Sequence, residues 1–174
     1  MKDKIVYHGS YTQVSKIDLR CCENGKDFGQ AFYLTTDRNE AINFSKNVAR
    51  RYGLSYGCLN LYKFTNFNDL KVHEFLTTNK SWLNCVIGYR DDRYKRFSKE
   101  WDDFDVLIGK IADDNTSNVL NTYLMGNYGK IGSEKAVDFA ISLLLPERLN
   151  NQICFRTLKS IKRLKFMRCE QIWV

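Results

Sequence analysis

Short apolar segments alternate with amphipathic stretches along this chain, and that alternation constrains its fold more than any other feature. Strands are predicted at residues 5–8, 31–35, 59–64, 104–108, 152–155 and 171–174. Helices are predicted at residues 37–51, 79–89, 133–145 and 158–165. No fixed repeat or low-complexity segment divides the 174 residues. We therefore expect one α/β or α+β domain over residues 1–174.

Local signals define the predicted helices. Asp37 with Glu40 three residues later predicts a capped start for the first helix. On that helix the residues Ala41, Phe44, Val48 and Tyr52 share one face at helical spacing, and we expect that face to be inward. Pro146 is expected to end the helix at 133–145. In the last helix the predicted inward stripe is Leu158, Ile161 and Leu164.

The hydropathy and the cysteines exclude several classes of protein. The first residues lack the apolar stretch of a secretion signal. The longest strongly apolar run, residues 140–145, is far shorter than the ~20 residues of a membrane span. No two of the six cysteines have C-x-x-C spacing, and the only histidines are His8 and His73. We therefore expect a soluble, cytoplasmic protein with reduced thiols, no metal site and no membrane partner.

Positive charge is in excess, with 27 Lys and Arg against 20 Asp and Glu, a formal net charge of +7. Such a balance permits an acidic partner such as nucleic acid or a nucleotide. Two groups of basic residues stand out: Arg156, Lys159, Lys162, Arg163, Lys165 and Arg168, and then Lys46, Arg50 and Arg51. They are interpreted either as solvated charge near helix ends or as a surface that guides RNA, DNA or an acidic protein.

Three short motifs carry the functional signal: Tyr7-His8-Gly9-Ser10, residues 27–35 (DFGQAFYLT) and residues 151–155 (NQICF). Each is weak when taken alone. The glycine of the second motif does not belong to a phosphate loop, because the motif lacks both G-x-G-x-x-G and a Walker lysine.

Together, and in this order, the motifs resemble the ADP-ribosyltransferase superfamily, in its branch similar to diphtheria toxin and poly-ADP-ribose polymerase. That branch has His-Gly-Ser/Thr on its first core strand, F-G-x-G-apolar-Y-apolar on the second, and a Glu that opens a later strand. Residues 8–10 match the first motif, and residues 28–34 match the second with Ala31 in place of a Gly. Gln152 stands where the Glu would be. Over nearly its whole length the chain is also similar to a bacterial family of uncharacterised domains in this superfamily, with further marks at 104–109 and 112–114.

The resemblance implies an α+β fold with an ADP-ribosyltransferase-like split β-sheet core and surrounding helices. It implies NAD as the substrate, cleavage of the nicotinamide–ribose bond, and transfer of ADP-ribose to a protein or nucleic-acid acceptor. Gln152 in place of the Glu favours transfer of a single ADP-ribose over chain elongation. An intracellular bacterial toxin or phage-defence effector, with an antitoxin as a further partner, would be a fitting context.

The residues that match the motifs are expected to hold NAD. His8 is expected to hydrogen-bond a ribose hydroxyl, and the Gly9 backbone and the Ser10 hydroxyl the carboxamide. Tyr33 and Phe44 are expected to stack on the nicotinamide, although Phe44 also fits the core face of its helix. A further candidate is Arg20, as a partner of the diphosphate or as an ordinary surface residue.

Gln152 is the departure from the family pattern with the largest consequence. An amide keeps a hydrogen bond to the ribose but carries no charge and cannot act as a base. Asp113 or Asp114 would supply a carboxylate, or would simply cap a loop. Asp27 is expected to order its loop and has no chemical step. The alternatives are a weak or inactive module that binds NAD, ADP-ribose or nucleic acid, and an NAD-dependent RNA 2′-phosphotransferase.

Overall fold

The computed structural model describes residues 4–111, 114–144 and 149–174, and for Asp114 and Asn115 the backbone alone. Within those residues the chain is mixed α and β with two sheets. The strands are β1 (Lys4–Ser10), β2 (Phe32–Leu34), β3 (Tyr56–Phe64), β4 (Val72–Glu74), β5 (Val106–Lys110), β6 (Asn151–Phe155) and β7 (Leu164–Trp173). The helices are α1 (Arg38–Arg51), α2 (Lys80–Arg90), α3 (Asp114–Leu124), α4 (Glu134–Leu143) and α5 (Leu158–Ile161).

The two sheets meet at one pair of residues. The three-stranded sheet has the antiparallel order β1-β3-β7, and the four-stranded sheet has the order β2-β6-β5-β4, with only β4 and β5 parallel. Tyr7 of β1 and Thr35, just after β2, exchange two backbone hydrogen bonds of 2.9 Å each. Beyond that pair β1 and β2 separate, and we call the gap between residues 8–10 and 32–34 the β1–β2 split.

Alternation of side chains along the strands gives each sheet an inner and an outer face. The inner faces pack on each other around a shared cluster that includes Val6, Phe32, Tyr62 and Phe155. The outer face of the four-stranded sheet is covered by α2, α3 and α4, whose buried residues include Trp82, Val86, Leu120, Tyr123, Val137 and Ala140. Both faces of this sheet are therefore covered at β2 and β5, which explains the continuous apolar sequences Phe32–Leu34 and 106–108.

Helix α1 covers the outer face of the three-stranded sheet through small residues. Its buried residues are Ala41, Ser45 and Ala49. A methyl group on Gly9 of β1 would lie 2.3 Å from the Ala41 carbonyl oxygen, so the strand and the helix are in close backbone contact. The predicted inward face of this helix is therefore wrong at Phe44 and Tyr52, which are 53% and 63% exposed, while Val48 is half-buried. Bulky side chains do not fit between surfaces that approach this closely.

The structure confirms most of the predicted elements and corrects the C-terminal part. The first helix is capped by the Asp37 side chain, which accepts hydrogen bonds from the backbone N–H groups of Asn39 and Glu40. Strand β4 and helix α3 were not predicted. The predicted helix at 158–165 ends at Ile161, and Leu158, predicted inward, is 68% exposed. The chain from Leu164 onward instead pairs with β3, because that pairing satisfies the backbone groups along an open sheet edge.

Several further features concern the classes of protein considered above. Among the described residues, no helix is both long and apolar enough to cross a membrane. No group of three or more His, Cys, Asp and Glu side chains in those ranges is placed to hold a metal ion. All six cysteines are free thiols. The predicted helix stop at Pro146 lies outside the described residues.

Candidate functional site

His8 holds the β1–β2 split open. Its Nδ1 donates a 2.8 Å hydrogen bond to the Tyr33 carbonyl oxygen, and its ring lies 4.4 Å from that of Phe32, centroid to centroid. If the two strands had continued as a ladder from Tyr7 and Thr35, Gly9 would have bonded to Tyr33. The Tyr33 carbonyl oxygen instead accepts its hydrogen bond from the His8 imidazole. Because a carbonyl only accepts, Nδ1 carries the proton.

Burial sets the charge state of this histidine. Removal from water lowers the pKa of His8, and only the hydrogen bond to the Tyr33 carbonyl opposes that effect. The imidazole is therefore neutral at neutral pH, with its proton on Nδ1. Its Nε2 keeps a lone pair and can accept a hydrogen bond from a hydroxyl group.

The depressed pKa of His8 predicts a pH dependence of folding. Unfolded His8 titrates near pH 6.5 and the folded state titrates lower, so the unfolded state takes up the proton first as the pH falls. We expect stability to be lost below about pH 6.5, with a slope of at most about 1.4 kcal/mol per pH unit for this single proton. Urea unfolding of the wild type and of His8→Asn between pH 5 and 7.5 measures the difference. Parallel curves for the two proteins would contradict the prediction.

Gly9 offers its backbone to the split. The N–H and C=O of Tyr7 point to Thr35, and those of Gly9, two residues later, point to the same edge. In the described part of the chain no hydrogen bond reaches Gly9 on that edge. A donor and an acceptor on one extended residue match the two groups of a primary amide. Glycine is required here because a Cβ would collide with α1.

Phe44 and Tyr33 both lie on the outer side of the sheets, the side on which α1 packs against Gly9. Glu40 accepts a 2.8 Å hydrogen bond from the Thr35 hydroxyl, which places this flank of α1 beside β2. Phe44, four residues on, extends from the same flank and is exposed. Tyr33 is on the outer side of β2, opposite Cys154 of β6. The rings of Tyr33 and Phe44 do not stack on each other in the described structure.

The Tyr33 hydroxyl organises the loop before β2. It donates to the Gly29 carbonyl oxygen at 2.7 Å and accepts from the Phe28 backbone N–H at 3.1 Å. Burial raises the pKa of Tyr33 well above its ordinary value, so the phenol stays protonated. Gly29 adopts a φ of +78°, which the tight turn over the phenol requires. The side chain therefore positions residues 27–31 in addition to offering a ring face.

Ser10 is buried at the end of β1, next to a cavity. Its Oγ accepts a 3.4 Å hydrogen bond from the Thr12 backbone N–H. A cavity of about 550 Å³ lies beyond it, lined by Tyr11, Thr12, Gln13, Tyr56, Cys58, Cys169 and Gln171. The lining is mostly polar, and the cavity continues the inner side of β1 away from the split.

Gln152 is part of a buried polar network on the outer side of β6. It follows Asn151, whose carbonyl oxygen accepts a 3.3 Å hydrogen bond from the Thr35 hydroxyl, so Thr35 connects β1, β2 and β6. The Gln152 Nε2 donates to Asp27 Oδ2 at 2.9 Å and to the Lys110 carbonyl oxygen at 3.4 Å. Asp27 Oδ1 accepts from Arg90 Nε at 2.7 Å and pairs with Nη2 at 2.6 Å.

Asp27 and Arg90 are functional candidates that the sequence reasoning did not find. Asp27 was expected only to order its loop, and Arg90 had no expected role. The only sequence signal for Asp27 was its position directly before Phe28 and Gly29 in the second motif. The sequence contained no signal for Arg90, because this residue reaches the site from the end of α2 and is 63 residues from Asp27 along the chain.

A comparison with protein families gives a match over most of the chain. The model of a family described as a protein of unknown function, DUF3990, matches residues 4–166. The chain belongs to the DUF3990 family. No curated protein and no solved structure matched it. In this DUF3990 protein the matched range contains His8, Tyr33 and Gln152 as well as the Asp27–Arg90 pair.

The predicted cationic candidate, Arg20, is not brought to the split of the DUF3990 chain. Arg20 lies on an exposed 3-10 turn (Leu19–Cys21), and its guanidinium is bonded to Asp18 at 2.7 Å. That pairing holds the pKa of Asp18 at about 2. The Arg20 side chain is 90% exposed and does not contact His8, Tyr33 or Gln152 in the described structure. Asp113 and the side chain of Asp114 lie outside the described residues.

The basic group near the C-terminus of the DUF3990 protein is partly internal, which corrects the sequence interpretation. Arg156 is not a surface cation: its side chain is 12% exposed, bonds to the Tyr89 hydroxyl at 2.8 Å and also bonds to the Trp101 carbonyl oxygen. Arg163 donates a 3.0 Å hydrogen bond to the Asn68 carbonyl oxygen. These arginines connect separate parts of the chain. A nucleic-acid surface would have to rely on the other basic residues.

Proposed function

We propose that this protein is an NAD-dependent mono-ADP-ribosyltransferase built on an ADP-ribosyltransferase-like split-sheet core. It cleaves the nicotinamide–ribose bond of NAD and transfers ADP-ribose to a protein or nucleic-acid acceptor. The observation that carries the proposal is the β1–β2 split. There His8 takes the place of a ladder hydrogen bond and leaves the Gly9 N–H and C=O facing Tyr33 across the split, next to α1, the helix that carries Phe44.

The split suits the pyridine end of NAD. The Gly9 N–H and C=O pair with the carboxamide of nicotinamide, and the exposed Phe44 ring covers one face of the pyridine while Tyr33 lies toward the other. His8 Nε2 accepts a hydrogen bond from a ribose hydroxyl. Ser10 was expected to hold the carboxamide together with Gly9, but its hydroxyl is bonded to Thr12 beside the cavity, so we assign it to a more distant part of the dinucleotide instead. Arg20 binds Asp18 through Nε and Nη2, so its remaining N–H groups are the ones that would meet the diphosphate.

The chemistry asks for orientation and for a negative environment at the ribose. The bond between the anomeric carbon and the pyridinium nitrogen breaks, its electron pair leaves with nicotinamide, and positive charge builds on the ribose. The acceptor then forms a bond to the anomeric carbon and loses a proton to solvent or a base. Gln152 orients the ribose by a hydrogen bond, since an amide cannot take that proton.

Incubation with NAD labelled on its adenylate tests the proposal. Reactions with whole-cell protein and with total RNA are separated into protein, RNA and small-molecule fractions, and nicotinamide release is followed in parallel. Label on a macromolecule together with released nicotinamide supports transfer. Tight NAD binding without release would favour the binding module, for which the uncharged Gln152 is the supporting observation.

The proposed setting is a toxin or phage-defence effector in the bacterial cytoplasm, controlled by an antitoxin. The resemblance of the three motifs to those of ADP-ribosyltransferases supports this setting. Induced expression in a bacterial host should arrest growth, whereas the His8→Ala protein at the same level should not. If both proteins arrest growth equally, the toxicity does not depend on cleavage of NAD, and the proposed setting is contradicted.

A further inference from the structure

We infer that Asp27 is a positioning residue of this site, which fixes the Gln152 amide in one orientation and supplies the negative charge behind it. The inference rests on the proposed function. It assigns the carboxylate of the site to a residue of the loop before β2, so Gln152 and Asp27 together do what one glutamate would do.

The partners of Gln152 determine which way its amide points. Nε2 lies 2.9 Å from Asp27 Oδ2 and 3.4 Å from the Lys110 carbonyl oxygen, and both are acceptors. If the amide were turned so that Oε1 took the place of Nε2, it would face these two acceptor oxygens with no donor between them, which is repulsive. The amide nitrogen is therefore held there, and Oε1 is the end that remains for a ribose hydroxyl. A glutamate at this position would likewise present an acceptor oxygen.

Asp27 is itself held in place from the other side. The carboxylate is buried, at 6% exposure, and its Oδ1 receives Nε and Nη2 of Arg90 at 2.7 and 2.6 Å. Arg90 Nη1 in turn donates to the Ser117 hydroxyl at 3.0 Å. The two carboxylate oxygens thus have different tasks: one binds the guanidinium and the other orients the amide.

The order of the groups gives the network a direction. Asp27 stands between Arg90 and Gln152, so the negative end of the ion pair is the end that meets the amide. A charged acceptor on Nε2 polarises the amide and increases the negative charge on Oε1, an effect that is stronger in a buried site. No proton has to move for this stabilisation. It would increase as positive charge builds on the ribose.

The network predicts an unusual result for the substitution that introduces the glutamate of the ADP-ribosyltransferase pattern at position 152. Gln152→Glu alone replaces the donor that lies 2.9 Å from Asp27 Oδ2 by a second carboxylate. The two carboxylates repel each other and have no proton between their oxygens, so the pair must separate and Asp27 no longer holds the side chain at 152 in place. The double variant Asp27→Asn/Gln152→Glu exchanges the two groups, since the asparagine amide can donate to the new carboxylate at 152.

The test compares steady-state nicotinamide release and thermal unfolding of the wild type, Asp27→Asn, Gln152→Glu and the double variant. We expect each single variant to lower kcat at least about 10-fold with KM changed less than about 3-fold. The double variant should regain at least about a third of the wild-type kcat. Glu170→Gln is the matched control: this carboxylate is also paired with arginines, at 2.5 Å from Arg38, but lies on β7. Its kcat should equal that of the wild type.

The outcomes distinguish failure of the proposed function from failure of the positioning role of Asp27. A folded wild type that binds NAD but releases no nicotinamide overturns the proposed function, and the role of Asp27 with it. An active wild type with an equally active Asp27→Asn variant overturns the role of Asp27 alone. If Asp27→Asn does not fold, the other two variants decide: a folded double variant no more active than Gln152→Glu would show that the carboxylate has no role beyond structure.

Discussion

Replacement of His8 by alanine is expected to lower nicotinamide release by at least about 100-fold, the scale of losing one hydrogen-bonding group that acts in the transition state. The neutral imidazole orients the ribose through Nε2, and its Nδ1 keeps the β1–β2 split in shape through the Tyr33 carbonyl. Both functions are lost in the variant. Steady-state release of nicotinamide from NAD measures the effect, and circular dichroism reports whether the fold is kept.

Two further variants separate the roles of the ring nitrogens. His8→Asn keeps a donor near the Tyr33 carbonyl but removes the Nε2 acceptor, so it should be nearly as inactive as His8→Ala. His73→Gln is the matched control, because His73 packs against Phe75 and Phe104 of the core, with ring centroids 4.5 and 5.5 Å away. It should keep its turnover. A wild-type rate in His8→Asn would remove Nε2 from the mechanism.

Replacement of Gly9 by alanine is expected to destabilise the fold by about 2–3 kcal/mol, the cost of overpacking a close contact. The new methyl group would meet the Ala41 carbonyl oxygen at 2.3 Å and the Ser45 backbone nitrogen at 2.9 Å. These are main-chain atoms of α1 and cannot turn away as a flexible side chain would. Strand and helix must move apart, which also moves Phe44 away from the Gly9 edge. Urea unfolding gives the loss of stability, and NAD titration gives the loss of binding.

Gly57→Ala is the matched variant for this contact. Gly57 of β3 faces the same helix, and a methyl group there would lie 2.4 Å from the Ser45 carbonyl oxygen. The two variants should lose similar stability, but only Gly9→Ala changes a residue on the edge that faces the split. NAD affinity of the folded fraction should therefore fall further in Gly9→Ala. An unchanged midpoint of unfolding in Gly9→Ala would contradict the close packing of β1 on α1.

The part of the site that lies on β1 and β2 could be proposed from sequence because its residues are near one another along each strand. Residues 8–10 and 28–34 form motifs, and motifs are visible without a structure. The role of Phe44 could not be decided in the same way. Helical spacing alone placed it with Ala41 and Val48 on one apolar face. The close contact of α1 with two glycine-containing strands allowed only the small residues to be inward.

The Asp27–Gln152–Arg90 network could not be predicted from the sequence. Gln152 is 125 residues and Arg90 63 residues from Asp27 along the chain. The three residues belong to a strand, the end of a helix and a loop, respectively. Arg156 shows the same limit, since it stands beside a run of surface lysines in sequence and is buried against Tyr89 in the fold. Which charges meet depends on the register of β6 against β5 and on where α2 ends.

The amino-acid sequence by itself determined where most helices and strands form, because periodicity, caps and turns act over a few neighbouring residues. It also carried the motif order from which the NAD hypothesis comes. Only the tertiary structure decided which face of α1 is inward, where β1 leaves β2, and which carboxylate meets Gln152. Those features depend on contacts between distant segments, and such contacts exist only once the sheets have taken their register and the side chains have competed for the same buried space.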